Sequence, residues 1–289
     1  MASRPVPHRR LLKTWSISSA CKGIDTRPVD RRLGRRATGA SVYTSIIVKK
    51  PLVLAAILVA FSFQARSDEP YGDSEFVFAR VQYTMGLNGL GGYNAENQPP
   101  WQHDQPFSEH FYLGILDEVT SLHTSDDAYE VVHLESDDIF RFPFLYVSEP
   151  GFMDLTPEEV DNLREYLLRG GFIMFDDFRG QDMYVLQMYL KRAFPDREMF
   201  RLDPSHPMFD VFYTIESLDF IPPYVRGDES GPPEFWGMTD ESGRLILVAN
   251  HNNDIGEFWE GLDLAYLPLQ PSIEAVRMGV NYMIYAITH

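Results

Sequence analysis

The sequence predicts an α/β domain built on an open, mostly parallel β-sheet with helices on both faces. Three observations lead to this fold class. Apolar stretches of strand length alternate along the chain with segments whose apolar residues recur at helical spacing. The strand stretches are apolar at most positions, as expected of strands covered on both faces. One strand, helix, strand unit also carries a complete set of capping residues. No internal repeat divides the chain, so we expect a single domain over residues 66–289.

Each element is predicted from a local pattern. The strands are apolar runs bounded by glycine, proline or polar residues, and they cover 75–85, 129–135, 144–148, 171–175 and 244–250. The helices have apolar residues three and four positions apart, and they cover 107–122, 157–169, 182–193 and 271–288. The first helix is expected to bury Phe111, Ile115, Leu116 and Val119. The proline-rich segment between Ile215 and Gly243 is predicted to be irregular.

The best-specified unit lies in the middle of the chain. Thr156 and Glu159 are spaced as a capping box, and Gly170 supplies a left-handed stop after the helix. A strand precedes this helix and another follows it, an arrangement that makes the two strands parallel in nearly all proteins. The adjacent carboxylates Asp176 and Asp177 are therefore expected at the carboxyl end of a parallel strand.

The first part of the chain is predicted to lie outside the domain. Residues 1–47 are basic and lack the periodicity of a core, which indicates a disordered segment or a start codon placed too early. Residues 48–65 have two lysines, a short apolar run and then small residues, which is the layout of a secretory signal peptide. The apolar run is shorter than the ~20 residues of a spanning helix, so cleavage is favoured over an uncleaved membrane anchor.

Composition restricts the partners and the chemistry. From Ser67 onward, 40 acidic residues stand against 12 Lys or Arg, a formal charge of −28 that disfavours nucleic acid and anionic membranes as partners. The one cysteine, Cys21, precedes the predicted signal, so the exported part has no thiol nucleophile and no disulfide. No serine lies in a G-x-S-x-G turn either. Acyl transfer by the usual nucleophiles is therefore not expected.

Polar side chains gather in loops that a parallel sheet would bring to its carboxyl edge, where ligands bind in such folds. The predicted catalytic residues are Asp176, Asp177 and His206, and the predicted ligands of a divalent cation are Asp176, Asp177 and Asp254. Further ligand-binding residues are predicted to be Arg80, Trp101, Asn250, Asn253, Asp254 and Glu260. The alternative is structural: one aspartate of the pair caps the following helix, Asn253 and Asp254 make a turn, and Trp101 only anchors its loop.

Several strings, among them "GGFIMFDDFRG" and "GVNYMIYAITH", resemble blocks of the bacterial family known as domain of unknown function 4159. The resemblance covers about Glu75 to His289. It implies a fold like that of the class I glutamine amidotransferases, in exported or membrane-tethered proteins of Gram-negative bacteria. Those enzymes keep a nucleophilic cysteine where this chain has the turn at Asp176 to Phe178, so glutaminase activity is not expected.

Two functions follow as hypotheses. The first is an exported, non-enzymatic module of the periplasm or cell envelope that binds a cation, a small polar ligand or an envelope protein. The second is a hydrolase of a polar envelope substrate, in which Asp176 and Asp177 act as base or metal ligands with help from His206 and Asp254. The second hypothesis requires these side chains to converge in one pocket.

Overall fold

The computed structural model describes residues 74–87, 98–219, 231–262 and 267–289. The predicted basic segment 1–47 and signal peptide 48–65 lie outside these residues. None of the helices in the described part of the chain has the length and apolar character that crossing a bilayer requires.

The centre of the fold is a seven-stranded sheet with the order β2-β1-β3-β4-β7-β6-β5. The strands are β1 Phe78–Gln82, β2 Tyr129–His133, β3 Phe144–Ser148, β4 Phe172–Phe178, β5 Phe200–Arg201, β6 Glu234–Thr239 and β7 Leu245–His251. Strands β2, β1, β3, β4 and β7 pair in parallel, whereas β6 is antiparallel to both of its neighbours. The carboxyl ends of β1, β3, β4 and β7 therefore lie side by side along one edge.

Helices cover both faces of this sheet, which confirms the predicted fold class. They are α1 Phe107–Val119, α2 Pro157–Leu168, α3 Asp182–Ala193, α4 Ile255–Glu260 and α5 Leu269–Thr288. One core contains the buried side chains of α1, α4 and α5, and the other contains those of α2 and α3. Alternate residues of each strand enter opposite cores, for example Phe78 and Ala79.

The unit β3-α2-β4 is confirmed. The Thr156 hydroxyl accepts a hydrogen bond from the Glu159 backbone, and the Glu159 carboxylate accepts one from the Thr156 backbone. Gly170 has a φ of 105°, the left-handed conformation that ends the helix. Strand β4 pairs in parallel with β3, so Asp176 and Asp177 lie at its carboxyl end as predicted.

Three local predictions are wrong. Residues 234–239 form the half-buried strand β6 in the segment expected to be irregular, and Ile255–Glu260 forms helix α4 where a loop was expected. Helix α1 buries Glu109, Tyr112, Leu113 and Leu116 rather than the predicted stripe, of which only Leu116 is fully buried. The cause in α1 is an ion pair. Glu109 is completely buried against Arg80, which rotates the buried face of the helix away from Phe111 and Ile115.

Candidate functional site

The backbone is bent at the carboxyl edge of the sheet. Among the described residues, four that are not glycine have a positive φ: Asp104 (65°), Glu149 (52°), Asp177 (54°) and Asn252 (57°). All four lie in the connections that follow β1, β3, β4 and β7 or at the end of those strands. Such conformations are uncommon outside glycine and concentrate at functional sites. Backbone strain is thus confined to the edge where the sequence predicts a ligand site.

Asp176 and Asp177 have separate surroundings. The pairing of β4 with β7 shifts register between Phe175 and Phe178, and the two aspartates lie inside this irregularity. Both are buried, with exposed fractions of 0% and 1%. The bulge gives the two neighbouring side chains different partners, and so they have different roles.

Asp176 is an acceptor for the start of helix α4. One carboxylate oxygen accepts hydrogen bonds from Asn250 Nδ2 (2.8 Å) and the Ile255 N–H (3.2 Å), and the other accepts from the Gly256 N–H (2.8 Å) and the Tyr146 hydroxyl (3.2 Å). Burial raises the pKa of Asp176 to about 6, although these hydrogen bonds oppose the rise. All four hydrogen-bond partners of Asp176 are buried, so this carboxylate stabilises the interior of the protein.

Asp177 faces the site. One of its oxygens lies 2.7 Å from Nδ1 of His103, and the other lies 3.2 Å from a guanidinium nitrogen of Arg179. Burial alone would raise the pKa of Asp177, but the hydrogen bond and charge of His103, together with Arg179, hold it below its usual value. The same contact raises the pKa of His103, against the opposing effect of its burial. Asp177 is therefore an ionised carboxylate that orients an imidazole ring.

His103 directs its other ring nitrogen to Asp104. Nε2 lies 3.5 Å from Oδ1 of Asp104, whose second oxygen, Oδ2, is buried and has no hydrogen-bond partner among the described residues. Burial raises the pKa of Asp104 well above its usual value, and the nearby carboxylates of Asp254 and Asp177 raise it further. A buried carboxylate oxygen without a donor is costly, and a bound cation would remove that cost.

Arg80 holds the segment that carries His103. Its guanidinium donates to the backbone carbonyls of Trp101 (3.2 Å) and His103 (2.8 Å), and it forms an ion pair with Glu109. It also lies over the ring of Tyr146, 4.7 Å from the centroid. Arg80 is fully buried, so it positions the site from below rather than lining it.

Helix α4 contributes three more carboxylates. Asp254 caps the helix by accepting a hydrogen bond from the Glu257 N–H (2.9 Å), and it lies 3.8 Å from Arg179. Burial raises the pKa of Asp254 well above its usual value, and the charges of Asp177 and Asp176 add to the effect. Glu257 and Glu260 follow on α4 and lie close to Asp104. We call His103, Asp104, Asp177, Asp254, Glu257 and Glu260 the edge cluster.

The edge cluster contains two groups of donors with the spacing of cation ligands. His103, Asp104 and Asp177 form one, and Asp104, Glu257 and Glu260 form the other. Within each group, one ligand atom from every residue lies within 4.8 Å of the others. Imidazole nitrogen and carboxylate oxygen together suit Mn²⁺ or Zn²⁺ better than Ca²⁺, which prefers oxygen ligands alone.

The structure brings some of the predicted site residues together and separates others. Asp177, Asp254 and Glu260 belong to the edge cluster. Asn250 lies beneath it, bonded to Asp176 and to the Tyr282 hydroxyl. The remaining predicted residues have backbone or core roles: Asn253 pairs with Phe178 in a bridge and accepts from the Asp254 N–H, and Trp101 packs on the core formed with α2 and α3.

His206 lies elsewhere in the fold. Its Nδ1 accepts a hydrogen bond from the Met208 N–H, and its ring contacts Phe200 and Phe209. Burial lowers its pKa. None of these contacts involves the edge cluster, so the contacts of His206 give no support to the convergence with the aspartates that a hydrolase would require. Asp176 accepts hydrogen bonds from the start of a different helix than the structural alternative expected, because its donors are the first N–H groups of α4, much later in the chain.

Sequence reasoning missed His103, Asp104 and Glu257. The string "WQHDQP" does carry a signal, because a histidine and an aspartate stand together in the loop that leaves a parallel strand. Glu257 lies three residues before the predicted Glu260, and only the helical spacing of α4 places the two carboxylates on one face.

Comparison with known proteins supports the resemblance found in the sequence. No curated protein is detectably similar to this chain. The model of one protein family matches residues 77–287, which include every member of the edge cluster and nearly all of the described domain. The chain therefore belongs to the family described as Domain of unknown function (DUF4159).

Proposed function

We propose that this chain is a binding module of the bacterial cell envelope that holds a divalent cation in the edge cluster. The observation that carries the proposal is Asp104, whose Oδ2 is buried without a hydrogen-bond partner beside His103 and Asp177. A cation would supply the positive charge that this oxygen lacks and would relieve the repulsion among buried carboxylates.

The exported location and the fold type are parts of the same proposal. The signal-like segment at 48–65 and the acidic composition support a periplasmic or envelope protein that does not bind nucleic acid. The glutamine amidotransferase-like fold is supported by the mostly parallel sheet and by the left-handed conformation of Asp177, with a φ of 54°, near the carboxyl end of the central strand β4. Amide hydrolysis through a thiolate is not proposed, because this position holds a carboxylate.

Binding of a cation is tested on the purified protein. Metal analysis comes first, followed by thermal unfolding with Ca²⁺, Mg²⁺, Mn²⁺ or Zn²⁺ added after treatment with a chelator. We expect Mn²⁺ or Zn²⁺ to raise the melting temperature. At 100 times the dissociation constant the gain in unfolding free energy is about 2.7 kcal/mol.

Two variants and a control make this test specific. Asp104→Asn and Asp177→Asn should lose the stabilisation, because each removes a negative ligand from the group that includes His103. Asp161 is an exposed aspartate on α2, outside the cluster. The Asp161→Asn variant removes the same charge there and should keep the stabilisation by the metal. If no metal stabilises the protein, or if the two cluster variants respond like Asp161→Asn, the proposal is wrong.

A second candidate function is acid–base hydrolysis of a polar envelope substrate. The hydrogen bond of 2.7 Å between His103 and Asp177 favours it, because a carboxylate-oriented imidazole is a common general base. Two surface cavities of about 350 and 440 Å³ lie at the end of α3, and none of their lining residues belongs to the edge cluster. A His103→Gln variant with unchanged turnover of envelope sugars and peptides would exclude the candidate.

A further inference from the structure

Asp104 belongs to both groups of donors in the edge cluster. It joins His103 and Asp177 on one side, and Glu257 and Glu260 on the other. One divalent cation with bonds of about 2.0–2.6 Å draws its ligand atoms from a region a few ångströms across, which is the size of each group separately. The two groups share the Asp104 carboxylate, which is the arrangement expected when two neighbouring ions share one ligand.

The two oxygens of Asp104 are placed for this role. Oδ1 lies 3.5 Å from Nε2 of His103, on the side of the first group. Oδ2 is buried and has no hydrogen-bond partner in the described part of the chain. The Asp104 side chain is only 5% exposed, so water does not readily satisfy this oxygen. Asp104 therefore has one oxygen beside His103 and a second oxygen without a hydrogen-bond donor, as a carboxylate that bridges two ions would require.

The formal charges of the ligands match two divalent ions. Four ligand carboxylates, those of Asp104, Asp177, Glu257 and Glu260, carry four negative charges when ionised. Asp254 adds a fifth carboxylate, and Arg179 lies 3.2 Å from Asp177 and 3.8 Å from Asp254, so the five ionised carboxylates and this guanidinium sum to four negative charges. One divalent cation would leave two of these charges uncompensated in a largely buried cluster, whereas two cations compensate all four.

We propose that the edge cluster binds two divalent cations bridged by Asp104, one with His103 and Asp177 and the other with Glu257 and Glu260. The inference rests on the proposed function and extends it to a second ion. Bridged centres of this kind hold their metals about 3.5–4 Å apart. Mn²⁺ is the probe, because it suits mixed nitrogen and oxygen ligands and its paramagnetism reports on a neighbouring ion.

The experiment is calorimetric titration of the chelator-treated protein with Mn²⁺, followed by electron paramagnetic resonance at saturation. We expect two Mn²⁺ per chain and the spectrum of an exchange-coupled pair. Glu260→Gln should bind one Mn²⁺, with the spectrum of an isolated ion, because the His103 group remains. His103→Gln should also bind one. Asp104→Asn should weaken both sites at least tenfold.

Glu158→Gln is the matched control, since it neutralises an exposed glutamate on α2, and it should still bind two ions. Glu257 and Glu260 are only partly buried, so their variants should fold, which their circular dichroism verifies. A stoichiometry of one, unchanged in Glu260→Gln, would overturn the second ion and leave the proposed function standing. Two ions that bind Asp104→Asn normally would overturn the bridge, and no binding at all would overturn both proposals.

Discussion

Asp176 and Asp177 follow each other in the chain, yet their carboxylates meet different neighbours. Asp176 accepts four hydrogen bonds from β3, β7 and the start of α4, whereas Asp177 contacts His103 and Arg179. Asp176 therefore has a structural role and Asp177 belongs to the site, because the bulge in β4 directs the two side chains to different neighbours.

The two aspartates should respond differently to mutation. Asp176→Ala leaves four buried donors without an acceptor, and we expect it to lower the unfolding free energy by about 3 kcal/mol or more. Asp177→Ala should cost less stability without metal, because its partners His103 and Arg179 are partly exposed and water can replace the carboxylate, but it should lose the stabilisation by Mn²⁺. Urea unfolding with and without Mn²⁺ measures both effects. Equal losses of stability in the two variants would contradict this division.

Arg80 should influence the site through the backbone of the His103 segment, which it holds by hydrogen bonds. Arg80→Lys keeps the charge opposite Glu109, but an ammonium cannot reach Glu109, Ser108 and the carbonyls of Trp101 and His103 together. We expect a loss of about 1–3 kcal/mol in stability and a tenfold weaker affinity for Mn²⁺. Calorimetry on the folded variant tests this. Affinity equal to that of the unmodified protein would show that the His103 segment does not depend on Arg80.

At the scale of elements, α4 is the part that sequence patterns predicted least well. It has six residues, too few to be stable alone, and its first N–H groups are accepted by Asp176 from β4. Its packing requires glycine at Gly256, where a Cβ atom would stand 2.6 Å from the Tyr146 hydroxyl.

Gly256→Ala should therefore displace α4 and with it Glu257 and Glu260. We expect a loss of about 1–3 kcal/mol in stability and a weaker affinity for Mn²⁺. Gly114→Ala is the matched control, because Gly114 lies inside α1 with nothing within 4 Å of the added carbon. It should stabilise the protein by up to about 1 kcal/mol. Comparable destabilisation by both substitutions would refute the steric argument.

The turn between β6 and β7 should make stability depend on acid pH. Burial acts to raise the pKa of Asp240, but hydrogen bonds from Ser242 and from Arg244 outweigh it and lower the pKa. A depressed folded pKa stabilises the protein above the unfolded value of about 3.9, and this contribution disappears as the pH falls through the folded pKa.

Asp240→Asn should accordingly cost about 1 kcal/mol at pH 7, since the turn is partly open to solvent. The difference from the unmodified protein should shrink below pH 4. Urea unfolding of both proteins across this range measures it. A difference that stays constant down to pH 2.5 would mean that the ionised carboxylate is not what stabilises the turn.

At the scale of the whole molecule, the net charge of residues 67–289 dominates. The 40 acidic residues of this part far outnumber its 12 basic residues, so repulsion between like charges outweighs attraction, and salt screens that net repulsion. Raising NaCl from about 0.05 to 0.5 M should increase the melting temperature of the metal-free protein. The increase should be smaller in saturating Mn²⁺, because the ions already neutralise the edge cluster. Calorimetric melting in both states tests this, and a metal-free protein insensitive to salt would contradict it.

The sequence by itself determined the fold class, the β3-α2-β4 unit and the place of Asp176 and Asp177, because capping residues and apolar runs act locally. Only the tertiary structure decided which carboxylates form the site. Asp177 lies at least 73 residues after the neighbouring pair His103 and Asp104. The three side chains meet because β1 and β4 run in the same direction in one sheet. The roles of Arg80 and Asp176 were equally non-local, since each depends on acceptors or donors from distant segments. Burial and charge pairing depend on distances in the folded structure, and local sequence patterns do not determine which distant residue a side chain will contact.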